Sequence, residues 1–435
     1  MNPVSIISNI RYIERAMEIH RKGKRTMFMA LIPLFDENMA VKAYSVFTQK
    51  DNYFLDPMML GTKQNDGASV VRGLELIETM GIETLTEDSE IFVPVTNINI
   101  FTDVESQCSA PHERIAFLLD NTIPPVEMYI NRLKELKEKK YKLAIRKLAV
   151  AEFENYREIL KLVDYVFLDN RRIAISKAKI YFGKLFPNVK LCAGGVEDME
   201  VFEKLKASGG YQLYEGEFYR VPVTQGSNEV APLKVNYIEL LNVVNDENFE
   251  FSTAADVIGR DTALTISLLQ MVNRMTVNSG ITTIRHAAAM LGQKELRKWI
   301  NTAVVNELCS DKPSEVTRLS LLRAKFAEFL GPVFGLKDKT EELFLMGLFS
   351  VLDVILEKSM MEALEMVKVA GDVREALIYR TGKLSPVLEL MQEYENADWQ
   401  EVSRLLVLDK MDADPINEAY QSSLRWYRDL MFGTK

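Results

Sequence analysis

The sequence predicts two folds in one chain, an α/β barrel followed by an all-helical domain, and three observations carry that prediction. Up to about residue 225, short apolar runs alternate with amphipathic stretches, the pattern of strands spaced by helices in a parallel sheet. The segment TQGSNEVAPLK, Thr224 to Lys234, then breaks the pattern with glycine, serine, asparagine and proline. Beyond it strand-like runs nearly disappear, and apolar residues recur at three- and four-residue spacing. The expected organisation is a barrel over residues 1–226, a linker over 227–233 and a helical domain over 234–435.

Taken in order, the predicted strands are MFMALIPLF (27–35), IFVPV (91–95), IAFLLD (115–120), KLAIRKL (142–148), VDYVFLD (163–169) and VKLCAGG (189–195). Between them VVRGLELIETMG (70–81), PVEMYINRLKELKEK (125–139) and DMEVFEKLKASGG (198–210) carry the apolar spacing of half-buried helices. Six or more such strands in about 220 residues favour a closed barrel over an open sheet. In the second half, NYIELLNVVND (236–246), ALTISLLQMVNRM (263–275), HAAAMLG (286–292) and EELFLMGLFSVLDVILEK (341–358) read as helices. Ser252 or Thr253 is expected to cap the helix over Ala254–Ile258, and Gly292 to close the helix ending at Leu291.

Composition limits function. A chain of 435 residues that is 47% hydrophobic has material for a large core and is too long for one ordinary domain. The net charge of -9 argues against nucleic acid as an electrostatic partner, because a phosphate backbone is met by clustered positive charge. No uninterrupted apolar run reaches bilayer length and the amino terminus lacks a signal-peptide core, so a cytoplasmic protein without a membrane partner is expected. Cys108, Cys192 and Cys309 are far apart and odd in number, which predicts buried reduced thiols.

The search for chemistry is mostly negative. His20, His112 and His286 form no pair at ligand spacing, which disfavours a histidine metal site or a triad. Gly194 and Gly195 lack the third glycine of a phosphate loop, and the helix start after Gly195 is the nearest thing to an anion site. Glu197 and Asp198 oppose an anion there and suit the helix dipole instead. The basic run RLKELKEKKYKLAIRK (132–147) alternates in sign as a solvated helix does, except at Arg146 and Lys147, which follow an apolar run and stand where a barrel strand ends.

The stretches IPLFDENMAVKAYSVFTQ, FVPVT, IAFLLDN, YKLAIRKL, VDYVFLDNRR, CAGGVED and YQLYEGEFYRVP resemble the successive strand ends of an EAL domain, a TIM-barrel-like fold that hydrolyses the second messenger cyclic di-GMP. The helical half, through DVIGRDTALTISLLQMVNRM (256–275), TTIRHAAAMLGQKELRKWI (282–300), LLRAKFAEFLG (321–331) and LFLMGLFSVLDVIL (343–356), resembles an HDOD domain, a relative of the HD phosphohydrolases. Together the two are similar to the YuxH-like family of bacterial EAL-HDOD signal transduction proteins.

Active EAL domains hold divalent metals with carboxylates and an asparagine, since oxygen ligands suit hard cations. The resemblance places Ser45, Pro94, Phe117, Arg146, Lys147, Phe167, Gly194 and Glu215 on those catalytic positions, and leaves Asp169 as a surviving carboxylate. In the helical half the His-Asp pair of HD hydrolases falls on Ser350-Val351, with Asp353 nearby, while Asp261, Asn273, Ile284 and Gly292 match packing and turn positions. The resemblance therefore implies a degenerate EAL domain, no enzyme activity, no metal and no cofactor. It implies a pseudoenzyme acting as a protein-protein interaction scaffold in or near cyclic di-GMP signalling, with unknown protein partners. The alternatives are a catalytically inactive receptor that meets cyclic di-GMP through Arg146, Lys147 and Gly195, and a residual phosphodiesterase.

Overall fold

The computed structural model describes residues 28–48, 70–222, 232–246, 249–259, 261–275, 281 and 283–432. His20 and residues 227–231 of the expected linker lie outside the described residues, and its last two positions, Pro232 and Leu233, already belong to a helix. Eight strands close in chain order into a barrel: β1 (Met29–Phe35), β2 (Val41–Thr48), β3 (Glu90–Pro94), β4 (Ile115–Leu119), β5 (Lys142–Ile145), β6 (Tyr165–Asp169), β7 (Lys190–Val196) and β8 (Tyr211–Gly216). The six strands predicted from apolar runs are present. β2 and β8 are additional, and VKAYSVFT and YQLYEG escape a search for apolar runs because polar residues interrupt them.

One strand runs against the expected parallel order. β1 pairs antiparallel with both β2 and β8, whereas β2 to β8 pair parallel in sequence. The cause is local: only Asp36 to Ala40 separate β1 from β2, and so short a connection returns the chain antiparallel. Asp36 shapes the turn, its carboxylate accepting the N–H groups of Asn38 at 2.8 Å and Ala40 at 3.0 Å.

Around the barrel lie α1 (Arg72–Met80), α2 (Ile82–Thr86), α3 (Glu127–Glu138), α4 (Arg157–Leu160), α5 (Ile175–Leu185) and α6 (Met199–Ser208). α1 buries Leu74, Ile77 and Met80, the three- and four-residue stripe read from the sequence. Strand alternation then sorts the barrel into two cores. Leu34, Ala43, Phe92, Ala116, Leu118, Ala144, Tyr165, Phe167, Cys192 and Leu213 fill the interior, and their neighbours on each strand face the helices.

The second half comprises α7 (Pro232–Val244), α8 (Phe251–Ile258), α9 (Thr262–Met275), α10 (Ile284–Leu308), α11 (Ser314–Leu330), α12 (Thr340–Phe349), α13 (Leu352–Leu356), α14 (Met360–Met366), α15 (Gly371–Arg374), α16 (Ser385–Glu395), α17 (Trp399–Asp409) and α18 (Ala413–Phe432). α11 is buried on almost every side, between the barrel, α12 and α18. It approaches α12 at Gly347, where an added Cβ would stand 2.2 Å from the Arg323 carbonyl oxygen.

Three helix ends differ from the sequence reading. α8 starts at Phe251, so Ser252 and Thr253 lie inside its first turn and do not precede it. Gly292 does leave helical geometry, at φ 76°, but the chain resumes as helix beyond it and α10 is kinked there. The single helix expected over 341–358 is two, α12 and α13, because Ser350 and Val351 break it. Asp261 caps α9, accepting the Leu264 N–H at 2.9 Å. The Asn273 side chain pins Ile281 by bonds to its N–H and carbonyl at 2.6 and 2.9 Å.

Candidate ligand site at the barrel mouth

The carboxyl-terminal ends of the parallel strands form the mouth, where barrel folds place their chemistry. Ser45 on β2 and Glu215 on β8 point inward and are buried, at 0% and 8% exposure. Arg146, immediately after β5, donates from Nη2 to Glu215 Oε1 at 2.8 Å, and the Ser45 hydroxyl donates to Oε2 at 3.3 Å. The Arg146 guanidinium lies 5.1 Å from the Phe47 ring centroid and 5.3 Å from that of Phe167, between two aromatic faces. Below it the rings of Phe92, Phe167 and Tyr165 pack edge to face over the buried Cys192 thiol, whose pKa burial raises. An ion above so dry a floor is costly without an opposite charge, which is why Arg146 and Glu215 hold each other.

The structure brings together Ser45, Arg146, Phe167, Gly194 and Glu215 of the sequence-predicted positions, and Pro94 stands at the rim on the parity of Phe92. Two predicted positions depart. Phe117 faces outward, its ring 4.8 Å from Tyr141 in the helix-facing core, and its neighbours Ala116 and Leu118 face inward. A one-residue offset reverses the face of a strand residue, and that offset is the error. Lys147 adopts φ 64° and turns away from the mouth, exposed and 3.7 Å from Asp120.

Gly195, at φ 71°, packs against the Arg171 guanidinium. The helix start beyond it is filled from within, since Asp198 caps α6 by accepting the Val201 N–H at 2.9 Å. Glu197 sits 3.5 Å from Arg171. Asp169, which ends β6, accepts from the Arg171 Nε at 2.9 Å and lies 3.4 Å from Arg172. The Arg171 side chain holds the Asp169 carboxyl below its ordinary pKa.

A second charged cluster, absent from the sequence reading, lies on the seam between barrel and helices. Tyr44, one residue from Ser45 on β2 and facing outward, donates to Glu315 Oε2 of α11 at 2.6 Å. Arg318 donates to Glu315 Oε1 and to the Leu85 carbonyl of α2, both at 3.2 Å, with its guanidinium 4.5 Å from the Tyr44 ring. Burial pushes the Glu315 carboxyl upward in pKa, against the opposing pull of Arg318. Nearby, Arg323 binds Glu395 through Nε at 2.9 Å and Nη2 at 2.7 Å, and Arg220 of the barrel reaches the same carboxylate at 3.5 Å. The cluster's charges belong to SEVTRLSLLRAKFAEFL, a helix that the fold buries on almost every side, Glu315, Arg318 and Arg323 included.

Ser350, where the resemblance put the HD pair, accepts from Arg323 Nη1 at 3.2 Å and donates to the Gly347 carbonyl at 2.7 Å. Val351 is in the core, and burial raises the Asp353 carboxyl. The three cysteines are buried and free. His112 stacks on Tyr141 at 4.2 Å, and His286 is exposed at the start of α10. Among the described residues no helix is long and apolar enough to cross a membrane.

Comparison with known proteins places these two halves. The HDOD domain family matches residues 230–375. Uncharacterized protein YuxH of Bacillus subtilis (strain 168) is 25% identical over 415 residues, spanning 93% of this chain and 99% of that protein. The chain is thus similar to YuxH over nearly its whole length, and its helical half matches the HDOD domain. Cyclic di-GMP phosphodiesterase CdgJ of Vibrio cholerae serotype O1 is 28% identical over 325 residues, 74% of either chain. Among solved structures, a standalone EAL protein from Vibrio cholerae O395 in its c-di-GMP bound form matches with a TM-score of 0.32 at 18% identity, over 44% of this chain and 90% of that one.

The relationship to CdgJ overturns the expectation that this chain is not an enzyme. That expectation rested on matching residue types to strand ends one position at a time, and the reversed face of Phe117 shows how such matching fails.

Proposed function

We propose that the protein works in cyclic di-GMP signalling as an interaction scaffold: its barrel mouth meets the nucleotide, and the docked helical domain offers a protein partner a surface that responds to occupancy. The observation that carries this reading is the double role of β2. Its Ser45 reaches the Glu215 carboxylate in the mouth, and the residue before it, Tyr44, reaches Glu315 across the seam. Any shift of that strand at the mouth is felt by α11, because both side chains hang from the same stretch of backbone. Met361 on α14 is exposed and adaptable, as partner surfaces require, while Met360 packs on the core. The name of CdgJ favours a second reading, in which the same mouth hydrolyses cyclic di-GMP.

The test is calorimetric titration of the full chain with cyclic di-GMP in magnesium or manganese, assay of the same sample for linear product, and pull-down with and without nucleotide. Binding together with nucleotide-dependent capture of a partner supports the scaffold. Linear product formed at a steady rate supports the second reading. No binding at millimolar nucleotide overturns both.

A further inference from the structure

We infer that the barrel mouth is an anion site occupied from within: the Glu215 carboxylate fills, in cis, the place that a phosphate group of an external ligand would take between Arg146 and Ser45. The inference deepens the reading of the mouth as a nucleotide-binding place and rests on it for the identity of the physiological ligand, but not for the site itself.

The geometry is that of a bound oxyanion. One oxygen of the carboxylate takes a charge-assisted bond from a guanidinium at 2.8 Å, and the other takes a hydroxyl at 3.3 Å. The guanidinium is held by Phe47 and Phe167 on either side, so its direction does not depend on the carboxylate alone. Ser45 is fully buried, and its hydroxyl has this carboxylate as its partner. Arg146 keeps 19% of its side chain open to solvent, so the pair can be approached from outside.

Charge balance gives the consequence. One guanidinium and one carboxylate make this pair neutral, and a phosphodiester arriving beside it adds a negative charge above a floor of Phe92, Phe167 and Leu118 that cannot solvate it. The anion therefore competes with Glu215. When Glu215 yields, the strand that carries it, β8, and its neighbour β1 are released from the bond to β5. Removing the carboxylate takes from Arg146 its ion-pair partner among the described residues, and an external anion restores neutrality.

Inorganic phosphate and cyclic di-GMP are titrated calorimetrically into the full-length protein and into Glu215→Gln, with thermal melts in parallel. The expected result is at least tenfold tighter phosphate binding by Glu215→Gln, abolished in Glu215→Gln/Arg146→Gln. Glu215→Asp, one methylene shorter and still charged, is read in the same way if the glutamine variant fails to fold, and is expected to fall between. Phosphate binding that is the same in wild type and in the folded variants overturns the inference, as does a gain that persists without Arg146. A gain for phosphate without one for cyclic di-GMP keeps the self-occupied site and sinks the nucleotide reading. Tight cyclic di-GMP binding by the wild type that Glu215→Gln leaves unchanged does the reverse.

Discussion

The mouth and the seam each hold an arginine-carboxylate pair, and they differ in what surrounds them. At the seam Arg318 and Glu315 are 5% and 6% exposed and bonded on every side, to Tyr44, to the Leu85 carbonyl and to each other. At the mouth Arg146 and Glu215 share one bond, Ser45 adds a second to the carboxylate and an aromatic clamp holds the guanidinium, with one face toward solvent. A fully enclosed pair fixes how two bodies dock, since opening it strands a charge in a dry interior. A pair with an open face can exchange its partner. The same chemistry is thus structural in one place and available to a ligand in the other.

The largest expected effect breaks the seam. Arg318→Met leaves Glu315 and Tyr44 buried without their cation and is expected to cost about 3–5 kcal/mol, read as a lower urea midpoint of the full chain. Tyr44→Phe removes a bond to a buried carboxylate and is expected to cost about 1.5–3 kcal/mol in the same assay, while weakening any nucleotide-dependent partner capture. Ser45→Ala removes only the longer, 3.3 Å bond to the mouth carboxylate and is expected to cost less, about 0.5–1.5 kcal/mol, and to weaken phosphate binding by Glu215→Gln, because it takes away one of the two donors of the anion site. An equal loss at Ser45 and Tyr44 would erase the distinction between the two clusters.

The smallest effect is one of pH. The folded pKa of Asp169 lies below its ordinary value, so its stabilisation is complete above the ordinary aspartate range and is lost as pH falls through the folded value. Glu315 runs the other way: its folded pKa is raised, so its protonation favours the fold below the ordinary glutamate range and that benefit is lost as pH rises through the raised value. Carboxyl NMR titration separates the two, and Arg171→Ala is expected to return Asp169 toward its ordinary range.

Much of the barrel was legible because a strand buried on both faces reads as an apolar run, as IAFLL of β4 does. β2 was not, because its inward Ser45 and outward Tyr44 serve two charged clusters and dilute the pattern. The mouth was legible at Arg146 because two cations after an apolar run stand out; which of them turns inward was not, and Lys147 turned out. Phe117 shows the same limit, since type and position were right to one residue and the face was wrong.

The sequence by itself determined six of the eight strands and the division into an α/β part and a helical part, because periodicity and turn chemistry are properties of neighbours along the chain. It determined that Arg146 stands where a barrel strand ends. Only the tertiary structure decided that Glu215 closes on Arg146 and that Tyr44 meets Glu315. Those outcomes join residues 69 and 271 positions apart, whose meeting depends on closure of the barrel and docking of the helices on it.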